Sequence, residues 1–134
     1  AETRAVPPRY DAAKIALTFA DRQDLYARID RRVDAMMQQG LLDEVRALLA
    51  AGVPADCTAM QAIGYKEAVA AVRGEATAQE AADAIRRASR QYEKRQLTWL
   101  RRDAQLFWLR HEKTPDMDLA CRRSTQFLAG RGIE

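Results

Sequence analysis

Hydrophobic residues follow two patterns along this chain, an unbroken run typical of a buried strand and the helical spacing of amphipathic segments. The run from Ala12 to Ala20 has no alternation, which predicts a strand at Ile15–Phe19 that is covered on both faces. Leu106–Leu109 is the other good strand candidate. Because several helices separate the two, the crossover is long enough for parallel pairing as neighbours. Two strands make a poor sheet by themselves, so the pattern also indicates that further strands lie outside this sequence.

The remaining segments have helical spacing and predict a mainly α fold with about five to six helices. Asp21 is a suitable N-cap for the first helix, which Gly40 ends. The apolar stripe of that helix comprises Leu25, Ile29, Val33, Met36 and Met37. A second helix, LLDEVRALLAA, follows and ends at Gly52. Its carboxylates Asp43 and Glu44 need no explanation beyond solvation.

The third helical segment contains a glycine that calls for an explanation. Thr58 and Gln61 have the spacing of a capping box, which would open a helix through TAMQAIGYKEAVAAVRG. Gly64 inside it costs roughly 1 kcal/mol relative to alanine, which suggests a break in the helix or a close backbone approach. Tyr65 and Lys66 then supply a stacking ring and a cation for phosphate. The other interpretation is that Gly64 only lets two helices pack tightly.

Cap signals also define the last helices and the chain ends. Thr77 and Glu80 form a second predicted capping box, which opens a long basic helix. For the final helix, Thr114 is the expected cap, Pro115 the first helical residue and Gly130 the end. Prolines 7 and 8 predict an irregular start over residues 1–11. No linker divides the chain, so residues 1–134 are expected to form a single unit.

The long helix carries most of the positive charge. Residues 86–102, RRASRQYEKRQLTWLRR, contain seven basic residues and one acid, Glu93, so this segment is +6 while the whole chain is +3. On a helical projection the cations share one half of the circumference: Arg86, Arg87, Arg90, Lys94, Arg95, Arg101 and Arg102. Ala81, Ile85, Ala88, Tyr92 and Trp99 share the other half and are expected to face the core. The segment therefore predicts a cationic surface for phosphate, with Arg90, Lys94 and Arg101 facing RNA; the alternative is an ordinary solvated face.

Composition excludes several other functions. The sequence has 134 residues, 48% of them hydrophobic, which suits one soluble domain with a core. It has no apolar run near the roughly 20 residues of a membrane span and no signal peptide, so we expect no membrane contact and a cytoplasmic location. Cys57 and Cys121 lie far from each other and from His111, so we interpret both as reduced packing residues without a metal site.

No catalytic residue can be assigned from the sequence. Ser89 and Ser124 have no base nearby, and the six glycines never form GxxxxGK[ST] or GxGxxG. The residues by themselves therefore predict a binding surface.

Three ordered motifs carry a resemblance to a known family: LYARIDRRVDAMMQQGLLDEV, TAMQAIGYKEAV and RQYEKRQLTWLRR, followed by the apolar strand with Trp108. This set closely resembles the C-terminal part of bacterial tRNA dimethylallyltransferase, also called tRNA isopentenyltransferase. The sequence motifs IGYKE and KRQLTW are highly specific for that family. The resemblance runs from about Tyr10 to Leu109, and the residues after Arg110 match no family pattern.

The resemblance implies an enzyme that transfers the dimethylallyl group of dimethylallyl diphosphate to N6 of adenosine 37 in the tRNA anticodon stem-loop. Family members resemble P-loop phosphotransferases, with a glycine-rich diphosphate loop, Mg²⁺ and an aspartate base in their N-terminal portion. This sequence lacks that portion, so the chain alone is expected to be inactive and to bind no cofactor. The two strands would then belong to the parallel α/β sheet of a complete enzyme that is a monomer.

The family's tRNA contacts map onto two stretches of this sequence. The first comprises Gln61, Ala62, Ile63, Gly64, Tyr65 and Lys66. The second comprises Lys94, Arg95, Gln96, Leu97, Thr98, Trp99, Leu100 and Arg101. Arg28, in the phrase LYARI, resembles an arginine that reaches the diphosphate in the complete enzyme. A free-standing helical RNA-binding module is the alternative, and the two strands without a sheet favour the enzyme.

Overall fold

The computed structural model describes residues 10–133, and the chain divides by its contacts into two compact units. A helical unit comprises residues 22–98, and a second unit combines the residues up to Asp21 with those from Trp99 onward. Most of the irregular start predicted for residues 1–11 lies outside the described residues, and the assignment of residues 1–134 to a single domain stays a prediction.

The helical unit has the order expected from the apolar spacing. Its elements are α1 at Arg22–Gln38, α2 at Leu41–Ala50, a short 3-10 helix at Ala59–Gln61, α3 at Tyr65–Val72 and α4 at Ala78–Leu100. Its core consists of Val33, Leu41, Val45, Met60, Ala68, Val69, Ala82 and Ile85. Ile29, Met36 and Met37 pack against this core, which together with Val33 confirms the predicted stripe of α1 from Ile29 to Met37. Full burial of a valine, leucine, isoleucine or methionine side chain in such a core stabilises the unit by about 1.5–3 kcal/mol.

The capping predictions have opposite outcomes. At the start of α4 the Thr77 amide donates to Glu80 Oε2 (2.7 Å) and the Glu80 amide donates to Thr77 Oγ1 (3.1 Å), so this capping box is confirmed. The box predicted for Thr58 and Gln61 is wrong. Thr58 makes no side-chain cap, and the side-chain amide of Gln61 donates instead to the Ala55 carbonyl (3.0 Å). The helix predicted through this segment is therefore interrupted, and α3 begins only after Gly64.

The second unit contains a parallel pair of strands and one helix. Strand β1 at Ile15–Phe19 pairs with β2 at Phe107–His111, with Ile15 opposite Phe107 and Phe19 opposite His111. The predicted parallel pairing is confirmed, and β2 is shifted slightly from the predicted Leu106–Leu109. Lys14 Nζ bonds to Asp103 Oδ2 (2.7 Å), which joins the residues that precede the two strands.

The last helix, α5 at Met117–Ala129, packs on β2 through Phe127, whose ring stacks on Phe107 at 4.4 Å. The predicted start at Thr114 and Pro115 is wrong, because Asp116 caps the helix by accepting from the Leu119 amide (2.8 Å). The predicted end at Gly130 is confirmed. No helix in residues 10–133 is long and apolar enough to cross a bilayer.

Two further side-chain predictions are wrong. Tyr92 and Trp99 were expected in the core but are 49% and 70% exposed. The reason is the length of α4, about 35 Å at 1.5 Å per residue, since its buried residues Ala81, Ala82 and Ile85 all lie in its first half. Cys57 packs against the core as predicted, whereas Cys121 is exposed on α5, and both are free thiols.

Candidate RNA interface

Two of the seven cations of residues 86–102 belong to the contact between α4 and α1 rather than to an open surface. Arg86 pairs with Asp34 and Asp83, and Arg90 bonds both oxygens of Asp30 (2.6 Å each) while its guanidinium lies 4.9 Å from the Tyr26 ring centre. The hydrogen bond to Asp34 is the main cause that raises the pKa of Arg86. The prediction that these two arginines belong to an open cationic surface is therefore corrected, and the contact of Arg90 with RNA stays a prediction.

Of the other five, Arg87 is exposed in the first half of α4. The remaining four lie in a stretch that we call the basic end and define as residues 94–102, which comprises the last turns of α4 and the turn that follows it. Lys94, Arg95, Arg101 and Arg102 are exposed, and none has an ion pair within residues 10–133. Trp99 lies between them in sequence, and 70% of its surface is exposed. Cations can bind phosphates of a nucleic acid, and an exposed indole next to them can stack on an unpaired base.

The other residues of the basic end have mixed surroundings. Gln96 is exposed, and Leu97 and Leu100 are half-buried. The Thr98 hydroxyl donates to the Lys94 carbonyl (2.7 Å), so its proton is used within the helix. The cations, Gln96 and Trp99 are therefore the members of this stretch best placed to contact a ligand.

The second predicted stretch, residues 61–66, forms a turn between the 3-10 helix and α3, which we call the glycine turn. Gly64 is buried with φ +107°, a conformation that side-chain-bearing residues rarely adopt. A Cβ at this position would lie 3.2 Å from Met36 Cε. The Gly64 amide donates to Glu67 Oε2 (2.8 Å) at the start of α3. Gly64 is thus explained by a break in the helix together with a close approach to α1.

The glycine turn presents several polar groups. Gln61, Ala62, Ile63 and Lys66 are exposed, and Tyr65 is half-buried. The Tyr65 hydroxyl donates to Glu44 Oε1 on α2. This hydrogen bond, followed by burial and the charge of Glu44, raises the pKa of Tyr65, so the phenol keeps its proton at neutral pH. Glu44 therefore has a hydrogen-bond partner and is not only solvated, as the sequence had suggested. The sequence does not reveal this contact because Glu44 and Tyr65 are far apart along the chain.

The structure brings together the six residues of the glycine turn, and the basic end forms a separate stretch over the last turns of α4 and the turn that follows it. No hydrogen bond or ion pair among the described residues joins the two. Arg28 is exposed on α1. The assignment of all these residues to tRNA or diphosphate stays a prediction.

Metal ligands are not grouped in the part of the chain that the structure describes. No set of three or more His, Cys, Asp and Glu side chains is placed to hold an ion there. The Mg²⁺ that the resemblance implies for a complete enzyme stays a prediction.

A helical unit with an exposed basic helix end, accompanied by a parallel strand pair, agrees with the class that the motifs indicated. The family model described as IPP transferase matches residues 1–103, and the chain belongs to this family. The similar proteins carry more particular names. A tRNA dimethylallyltransferase from Acetivibrio thermocellus is 37% identical over 132 residues, which cover 98% of this chain and 42% of that protein. Another from Symbiobacterium thermophilum is 53% identical over 102 residues, 76% of this chain and 31% of that protein.

Solved structures agree with these matches. The full-length tRNA isopentenylpyrophosphate transferase of Bacillus halodurans matches this chain with a TM-score of 0.84 and 40% sequence identity. The match covers 96% of this chain and 42% of that protein's chain. The family resemblance is confirmed. The expectation that it ends near Leu109 is wrong, since the similarity reaches across the final helix. The chain spans less than half the length of these relatives.

Proposed function

We propose that this chain is the tRNA-contacting part of a tRNA dimethylallyltransferase, acting on N6 of adenosine 37 in the anticodon stem-loop. The observation that carries the proposal is the exposed basic end of α4 in a chain of the IPP transferase family. Such an enzyme would act in the cytoplasm, where tRNA is modified.

The basic end suits an RNA loop for physical reasons. Unpaired bases of a loop are free to stack on aromatic side chains, while the phosphates follow cations. Trp99 supplies the ring, and Lys94 and Arg101 supply charges with no ion pair among the described residues. Arg86 and Arg90 would support this surface indirectly by holding α4 against α1.

In the proposed reaction the N6 amine forms a bond to C1 of the dimethylallyl group while the C1–O bond to diphosphate breaks. Diphosphate leaves, and the proton of the amine passes to a general base. No glycine-rich phosphate loop is present in this sequence, so we assign the diphosphate, Mg²⁺ and the base to the portion of the enzyme outside it. Arg28 is the residue of this chain that we propose to reach the diphosphate.

The proposal is tested by the salt dependence of anticodon stem-loop binding to the complete enzyme. Lys94→Ala and Arg101→Ala should each reduce the slope of log affinity against log salt by roughly 0.7, the value for one lost phosphate contact to a single strand. Arg122→Ala, which removes an exposed cation from α5, is the control and should leave the slope unchanged. An unchanged slope in both α4 variants would show that the basic end is only solvated. RNA binding without transfer by the complete protein would favour a binding module instead.

A further inference from the structure

Beside the glycine turn lies an open pocket of about 180 Å³ that belongs entirely to the helical unit. Its lining comes from the end of α1, the start of α2 and the glycine turn, and comprises Met36, Gln39, Leu41, Glu44, Ile63, Gly64 and Tyr65. The pocket depends on Gly64, because a side chain there would meet Met36 and would not tolerate the positive φ.

The lining combines apolar walls with two polar groups. Met36, Leu41 and Ile63 offer aliphatic and thioether surface, and the Tyr65 ring adds an aromatic edge. Gln39 and Glu44 are both exposed, so their amide and carboxylate can be reached from solvent. A few polar groups within an apolar concave lining are typical of a ligand site.

Glu44 is held in place with acceptor capacity to spare. Its Oε1 accepts from the Tyr65 hydroxyl, while no described residue donates to Oε2. A carboxylate has about four acceptor positions on its two oxygens. Tyr65 therefore orients the carboxylate and leaves one oxygen for a donor that enters the pocket.

We propose that this pocket takes one unpaired nucleobase of the bound RNA, and that Glu44 accepts a hydrogen bond from its exocyclic amine. The inference rests on the proposed function and deepens it. A cavity of about 150 Å³ is enough to hold a benzene ring, so this pocket has room for one planar ring. The exposed Lys66, next to Tyr65, is placed to offset the charge of a phosphate of the same strand.

The lining also gives the pocket a preference among bases. Adenine, cytosine and guanine carry an exocyclic amine that donates to a carboxylate, as in Glu contacts to cytosine N4. Uracil has carbonyl oxygens in the corresponding places and would bring an acceptor against Glu44. The pocket should therefore select an amine-bearing base over uracil at one position of the loop.

The test uses the complete enzyme and a set of anticodon stem-loop RNAs in which each loop nucleotide is made abasic in turn. At one position the loss of the base should weaken wild-type binding by roughly tenfold or more, the value of a hydrogen bond to a charged group. Replacement of that base by uridine should weaken binding similarly. Glu44→Gln should remove this discrimination against uridine.

Two control variants separate the pocket from its surroundings. Asp43→Asn removes the neighbouring carboxylate of α2, which is 80% exposed and pairs with Arg46 outside the pocket, and should keep the discrimination. Tyr65→Phe keeps the ring but loses the bond that orients Glu44, so it should reduce the discrimination only in part.

The outcomes distinguish this inference from the function on which it rests. The pocket inference alone is overturned if Glu44→Gln discriminates against uridine at every loop position as wild type does, while wild type binds the stem-loop and Lys94→Ala reduces the salt slope. If the complete enzyme does not bind the stem-loop, both fail. A discrimination lost in Glu44→Gln and kept in Asp43→Asn supports the inference.

Discussion

Trp99 illustrates how helical periodicity can misplace a single residue. It shares a helix face with the buried Ala81 and Ile85, yet it is 70% exposed because the core does not extend to that end of α4. The periodicity describes a face of the helix, whereas burial also depends on how far the neighbouring helices reach. A large exposed aromatic ring beside cations is instead a feature of surfaces that bind single strands.

We predict that Trp99→Ala changes the free energy of unfolding by about 0.5 kcal/mol or less, as exposed positions usually do. Binding of an anticodon stem-loop by the complete enzyme should weaken by about 1–3 kcal/mol, the value of one stacked base. Trp99→Phe keeps an aromatic ring and should retain part of this binding free energy. Thermal unfolding and RNA affinity measured on the same samples check this. A loss of about 3–5 kcal/mol in stability, the cost of a core cavity, would mean that the ring is buried.

Gly64 offers a second prediction at this scale, because its positive φ is combined with a close neighbour. Gly64→Ala should cost about 1–3 kcal/mol for a sparsely populated backbone conformation with positive φ and an additional amount for the contact with Met36. Gly52→Ala is a matched control, since Gly52 has φ +85° and a methyl group added there would meet nothing within 4 Å. Urea unfolding should show the larger loss for Gly64. Equal losses would mean that Met36 moves aside without cost.

At the scale of elements, α4 has two parts with different surroundings. The part from Ala78 to Arg90 carries the buried residues and the ion pairs to Asp30 and Asp34 of α1, and the far end carries cations without ion pairs among the described residues. The sequence predicts an amphipathic basic helix, but it does not reveal which cations are paired. Their partners lie on another helix, distant in sequence, so tertiary packing alone decides this.

The strand pair provides a prediction about pH. The hydrogen bond from Lys14, together with the Gln105 amide, lowers the pKa of Asp103. A carboxyl group whose pKa is lower in the folded state stabilises that state at pH values above the unfolded-state pKa of the group, which is near 3.9. This contribution to stability disappears as the pH falls through the lower pKa of the folded state. Wild type should therefore exceed Asp103→Asn in stability at pH 7, and the difference should shrink below about pH 4.

Thermal unfolding of the two proteins between pH 7 and pH 3 measures this difference. Lys14→Met should reproduce most of the effect by removing the main partner. A difference that stays constant down to pH 3 would contradict an ionised Asp103 as its source.

For the whole molecule, the sequence predicted the parts that depend on local pattern and on motifs. The parallel pairing of the two strands, the Thr77 capping box and the family are confirmed. The start of α5 was misplaced because Asp116, one residue after Pro115, caps the helix better. The pocket at the glycine turn could not be found, since Glu44 and Tyr65 meet only after α2 and α3 have packed.

The parallel pairing of β1 with β2 has a consequence for the order in which the chain folds. The helical unit lies between the two strands in sequence, so the strands are distant segments that must meet. Contacts between near neighbours in sequence form fast, while distant ones wait for a costly loop closure. During synthesis β1 leaves the ribosome first and cannot pair until β2 has followed. The helices can assemble in that interval, and by shortening the path between the strands they reduce the entropy lost when the sheet finally closes.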